Sequence, residues 1–358
     1  DVGVKKYFDP MMPRISPRFA LSKIFAPLRS ALNRHHWRGK LPDREKYISK
    51  GELLMEFMSV LVQQVIIMFL LMLIGCILFR TKKLTAEGSK SLGNLLVYVI
   101  MPGVVINAYM TEFSMERLKG LALAFVFSAI ALGLAMVISA IIFKRHPIEN
   151  FGTAFSNAGF MGIPIVQAVL GSEAVFYVSA FVALLNLLQW TYGVFVITKD
   201  KRQVSVRKII TNPILISMII GICLFLIPVE IPHVISETVS LVAGMNAPVA
   251  MISLGTYLAQ ITAAQLVRDK AAWLSTLVRL LVIPLVTLGV LTFIPESYAS
   301  LKMAILIVAA TPVGSNVAIF AQIHNKDYTQ AVKSVCLSTL CSLVSIPLIL
   351  ACAGWLWG

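Results

Sequence analysis

Residues 156–164 read Ser156-Asn157-Ala158-Gly159-Phe160-Met161-Gly162-Ile163-Pro164, and residues 311–317 read Thr311-Pro312-Val313-Gly314-Ser315-Asn316-Val317. Each stretch sets proline, glycine and a side-chain amide in the middle of an apolar run long enough to cross a bilayer, roughly 20 residues. Proline removes a helical N–H and clashes with the preceding turn, while glycine admits the backbone departures of a crossing chain. Hydrocarbon tolerates such a break only where protein or a polar ligand satisfies the freed groups. Two matched breaks therefore predict a binding site built from interrupted membrane helices.

Composition agrees with that reading. Hydrophobic residues make up 58% of the 358, charged residues 13%, and mean hydropathy is +0.83, whereas soluble domains run near a quarter charged. Apolar runs fall near 57–79, 91–111, 119–143, 151–170, 174–198, 209–229, 234–259, 271–294, 302–322 and 328–355. The predicted fold is an all-α integral membrane protein of ten transmembrane helices, with the lipid bilayer as its solvent.

The net charge of +14 belongs to topology and not to nucleic acid, because the basic residues sit in short loops. Loops after odd-numbered runs hold clusters such as Arg80, Lys82 and Lys83, or Lys199, Lys201 and Arg202, while those after even runs hold only Arg117, Lys119 and Lys302. The positive-inside rule then puts the odd loops in the cytoplasm and both termini outside a multi-pass cytoplasmic membrane protein. Cys76, Cys223, Cys336, Cys341 and Cys352 all lie in apolar runs without CxxC spacing, so they read as packing residues, with no metal or cofactor expected.

Residues 1–54 stand apart, with twelve of the 31 basic residues against five acids. They begin with Asp1 and end before Met55, where a membrane-protein start would read Met-Glu-Phe-Met. This segment is expected to be non-native or disordered, and Met55 to be the natural start. The remainder divides into 55–200 and 201–358. Ser156-Asn157 recurs as Ser315-Asn316, and Pro102 as Pro248, spacings that bracket half the length from Met55. Five spans per repeat is an odd number, so the two repeats would insert in opposite orientations, with broken crossover helices 4 and 9.

The predicted substrate site gathers Asn157, Gly159, Gly162 and Pro164 from the fourth span with Pro312, Gly314, Ser315 and Asn316 from the ninth. Inward half-helix N-termini offer free N–H donors and partial positive charge to a small carboxylate. Arg279 lies about nine residues, roughly 13 Å, inside the eighth span, where an ionisable residue serves as counter-charge to an anion or as a tether for broken-helix carbonyls. Asn246, beside Pro248, is a further candidate, balanced against simple interhelical packing.

Four stretches, Asn157 to Pro164, Asn246 to Gly255, Arg279 to Pro284 and Pro312 to Asn316, together resemble the auxin efflux carrier family over 55–358. The resemblance implies two inverted five-helix repeats, a scaffold from spans 1, 2, 6 and 7, a mobile unit carrying the crossover, a homodimer and elevator-type alternating access. The loop from Lys199 to Lys208 is short, similar to compact bacterial members assigned to malate, malonate and related dicarboxylates. The alternatives are a sodium-coupled organic-anion symporter of the bile-acid type and a channel. An enzyme is disfavoured because HExxH, paired intramembrane aspartates and a serine–histidine pair are missing from the spans.

Overall fold

Extended apolar windows bounded by polar caps set the helices. The computed structural model describes residues 50–227 and 231–357, and its principal elements are all helical. They are α1 (Lys50–Arg80), α2 (Ala86–Tyr109), α3 (Met115–Ile142), α4 (Pro147–Ala154), α5 (Ala158–Leu170) and α6 (Ser172–Thr198). Then come α7 (Pro213–Leu226), α8 (His233–Ala259), α9 (Lys270–Leu291), α10 (Ala299–Ala309), α11 (Asn316–Ile323) and α12 (Tyr328–Trp357). Seven of these, α1, α2, α3, α6, α8, α9 and α12, are long and apolar enough to span a membrane. Residues 1–49 lie outside the described set, and with them all of the basic segment except residues 50–54, which are the first turn and a half of α1 and not irregular chain.

Start signals are local. Thr85 accepts from Gly88 N at 3.1 Å, Ser114 from Arg117 N at 3.1 Å, and Asp269 from Ala272 N at 2.9 Å; each satisfies an orphan donor of a first turn. On α1, Leu61, Val65, Met68 and Met72 point inward, while Leu70, Leu73 and Ile77 are exposed. Apolar residues therefore cover both faces of this helix, as a lipid-facing helix requires.

The most extensive helix pairing is α1 with the second half of α8. A Cβ at Gly75 would strike the Ile252 carbonyl, and one at Gly255 the Met72 carbonyl. Two glycines thus let backbones touch, the small-residue contact that drives association where lipid offers no hydrophobic penalty. α2 also packs on α7, α3 on α6 and α9 on α12.

The two predicted breaks are present, but one lies elsewhere than its proline suggested. Phe155 to Asn157 interrupt α4 and α5, and Ala310 to Ser315 interrupt α10 and α11. Pro312 is inside its break. Pro164 is not: it is the second residue of a helical turn that follows a wide π-turn at Ala158–Gly162. The physical reason recurs twice more. Pro102 follows a π-turn at Leu96–Ile100 and Pro284 one at Val278–Val282. In all three the residue before proline donates five positions back, Met101 to Leu96, Ile163 to Ala158 and Ile283 to Val278. The wider ring absorbs the missing N–H and the steric bulk, so the rod continues.

Candidate substrate site

Where the breaks cross, each unwound strand satisfies the other. Asn157 N donates to Pro312 O at 2.8 Å and Gly314 N to Phe155 O at 3.0 Å, forming an antiparallel bridge between Ser156 and Val313. Ser338 of α12 accepts from Val313 N at 3.1 Å. A Cβ on Gly314 would come within 3.0 Å of the Ser156 carbonyl, so glycine here serves close backbone approach. Gly162 has a related role, since its Cβ would meet Val308 Cγ1 of α10 at 2.8 Å.

Helices open from this crossing in both directions. α5 begins just after Asn157 and α11 at Asn316, so the amide-bearing residues stand at two half-helix N-termini, of which α11 already ties Val317 N and Ala318 N back to Gly314 O and Ser315 O at 3.1 Å. Asn157 is 3% exposed and Asn246 is 1% exposed. Asn246 Nδ2 donates to Gly159 O at 3.0 Å, which joins α8 to the first turn of α5. Ser315, Pro312 and Gly314 are buried, and Asn316 is half-buried.

A residue that sequence reasoning did not single out completes the cluster. Gln189 of α6 is buried, and its Oε1 accepts from Asn316 Nδ2 at 2.9 Å. An amide in the middle of an apolar span, followed by Trp190, was the available signal. Asn157 Nδ2 and Gln189 Nε2 are both buried without a hydrogen-bond partner, as are Asn246 Oδ1 and Ser156 Oγ. Beyond Asn316 on α11, Phe320 packs on Trp190 and Phe151 with ring centroids 4.8 and 5.0 Å apart, an aromatic layer next to the amides.

Arg279 stands on the opposite electrostatic pole of the same crossing. Its Nη1 donates to Thr153 O at 3.1 Å and Ala154 O at 3.4 Å, and its Nη2 to Ala309 O. These are the carboxyl ends of α4 and α10. Of the sequence-predicted residues, Asn157, Gly159, Asn246, Gly314, Ser315 and Asn316 converge on the amide side, Arg279 binds carbonyls, and Pro164 lies within α5. A cavity of about 460 Å³ lies away from this crossing, lined by Asn107, Arg117, Glu173, Tyr177 and Tyr298. The crossing is the better candidate, since buried polar groups without partners demand an explanation and the cavity offers a mixture of both charge signs.

Residues 60–350 match the family model described as membrane transport protein. The chain belongs to that family. Its members are auxin efflux carrier-like membrane transporters, and the multiple apolar spans of this chain are of the length and composition such a protein needs. The chain is also 24% identical over 297 residues to a protein of Methanothermobacter thermautotrophicus described as an uncharacterized transporter, covering 80% of this chain and 96% of that one.

Proposed function

We propose that this transporter is a secondary carrier for a small organic anion, a dicarboxylate of the malate or malonate kind, bound between the amino ends of α5 and α11. One observation carries the reading: Asn157 Nδ2 and Gln189 Nε2 are buried donors without acceptors, beside two helix N-termini that favour negative charge. A carboxylate supplies the acceptors that the protein withholds. Asn246 Oδ1 and Ser156 Oγ, also unpartnered, suit a hydroxyl or a second, protonated carboxyl group on the same ligand.

The packing supports two inverted repeats over 55–200 and 201–358. In that scheme α1 on α8 answers α7 on α2, and α3 on α6 answers α9 on α12; all four pairs are in contact. We assign α1, α2, α7 and α8 to a scaffold that dimerises, and the remaining helices to a unit that carries the crossing across a cytoplasmic membrane by elevator-type motion, with both termini outside. Purified protein reconstituted on a solid-supported membrane, challenged with mono- and dicarboxylates with and without sodium, tests the substrate class. Saturable currents evoked by dicarboxylates are expected. Currents from inorganic cations alone, or none with any carboxylate, would overturn the assignment.

A further inference from the structure

The carboxyl ends of α4 and α10 meet at a single side chain. Arg279 reaches Thr153 O and Ala154 O on one helix and Ala309 O on the other, carbonyls from final turns whose intrahelical donors have run out. Each helix end carries roughly half a negative charge, so two such ends facing one another repel unless a cation stands between them. In ion-driven carriers with broken helices, that cation is the coupling ion, held by half-helix carboxyl ends and unwound carbonyls. Here the planar fork of a guanidinium spans both ends. A second tie fixes its register: Ser275, one turn earlier on α9, shares a hydrogen bond of 2.7 Å with the Thr153 hydroxyl.

We propose that Arg279 is the resident cation of the crossing, a positioning residue that holds the carboxyl ends of both half-helices in the role a coupling metal ion fills in ion-driven carriers, without touching substrate. Its hydrogen bonds go to backbone carbonyls on the pole of the crossing opposite the amide cluster. With Arg279 in place, transport has no use for sodium at these carbonyls. Without it, Thr153 O, Ala154 O and Ala309 O are left as a cation-binding void. The flux predictions rest on the carrier reading above; the stability predictions do not.

The experiment compares wild type, Arg279→Ala and Arg279→Lys as full-length protein, titrated with guanidinium chloride, sodium chloride or choline chloride at millimolar concentration and matched ionic strength. Thermal unfolding is followed in detergent and dicarboxylate flux in proteoliposomes. Arg279→Ala is expected to lose thermal stability and at least about tenfold in flux, as removing a charged partner from buried acceptors does. Guanidinium restores both, sodium restores them in part, and choline, too large for the void, restores neither. Wild type responds alike to all three salts. Arg279→Lys lowers the maximal rate with KM unchanged, because one ammonium does not span both helix ends. Equal effects of the three salts on the alanine variant overturn the proposal, and so does a raised KM with intact maximal rate in the lysine variant, which places Arg279 on the substrate. Should the alanine variant fail to fold in every salt, the lysine split decides. Guanidinium-specific recovery of stability in a protein that moves no carboxylate upholds the resident cation and removes the carrier assignment alone.

Discussion

Asn316 Nδ2 donates to Gln189 Oε1 at 2.9 Å, and this bond turns the Gln189 amide so that its own Nε2 is buried without an acceptor. In the proposed site the pair would act as a relay, with α11 orienting a donor that α6 presents to the anion. Gln189→Leu removes that donor and is expected to weaken dicarboxylate binding by about 1.5–3 kcal/mol, tenfold or more in Kd. Gln189→Glu replaces it with an acceptor and should abolish anion binding altogether. Ligand-induced thermal shifts on the purified variants check both; a glutamate variant with wild-type affinity removes Gln189 from the site.

Asn157→Ala and Asn316→Ala separate direct from relayed contributions. Each is expected to impair binding while the protein still purifies as a folded species, because the crossing is held by backbone bonds at Asn157 N and Gly314 N that alanine leaves in place. Combining Asn316→Ala with Gln189→Leu should cost little more than Gln189→Leu alone, since the two act through one donor. Isothermal titration of the double-mutant cycle measures this, and strict additivity would count against the relay.

Gly75 and Gly255 are the sites where α1 and α8 touch. Gly75→Leu or Gly255→Leu forces the helices apart, and each is expected to destabilise the protein by about 1–3 kcal/mol or more. The thermal midpoint in detergent should fall for both. Alanine at Gly133 or Gly289, where a Cβ meets nothing within 4 Å, serves as the control and should not lower the midpoint, since glycine inside a helix is the less stable residue.

Asp269 provides a pH test outside the spans. Burial alone raises its carboxyl, but the Ala272 N–H, the Gln330 amide and Lys333 more than offset that and hold it below the ordinary carboxylate value; Lys333 Nζ lies 3.2 Å away. A depressed carboxylate contributes stability in full above its unfolded value of about 3.9 and loses it as pH falls through the folded value. Asp269→Asn keeps a helix-capping oxygen and loses the ion pair, at a cost of about 1 kcal/mol or less near neutrality. Its thermal midpoint should therefore approach that of wild type as pH is lowered past 4. A constant gap across that range would dismiss the carboxylate as the cause.

Much of this was legible from residue types. Proline, glycine and an amide inside an apolar run marked both breaks, because hydrocarbon leaves few other reasons to combine them. Arg279 was legible as an intramembrane charge, and of its two readings the tether is the one its bonds to Thr153, Ala154 and Ala309 describe. Pro164 misled, since its local rule holds only for an α-helical ring and the turn ahead of it is wider. Gln189 escaped notice for a different reason. Its partner is 127 positions away, so the lone amide in an apolar span signalled a buried polar group without saying what it meets.

The wide turns at 96–100, 158–162 and 278–282 each contain one residue more than an α-helical count needs. Every α-helical residue advances the azimuth by about 100°. Deleting a single position from 278–282 would thus swing the guanidinium, or everything after it, by more than a quarter revolution and would press Pro284 against an unyielding ring. These insertions set the angular phase of three rods, so chain length there is under tighter constraint than side-chain identity.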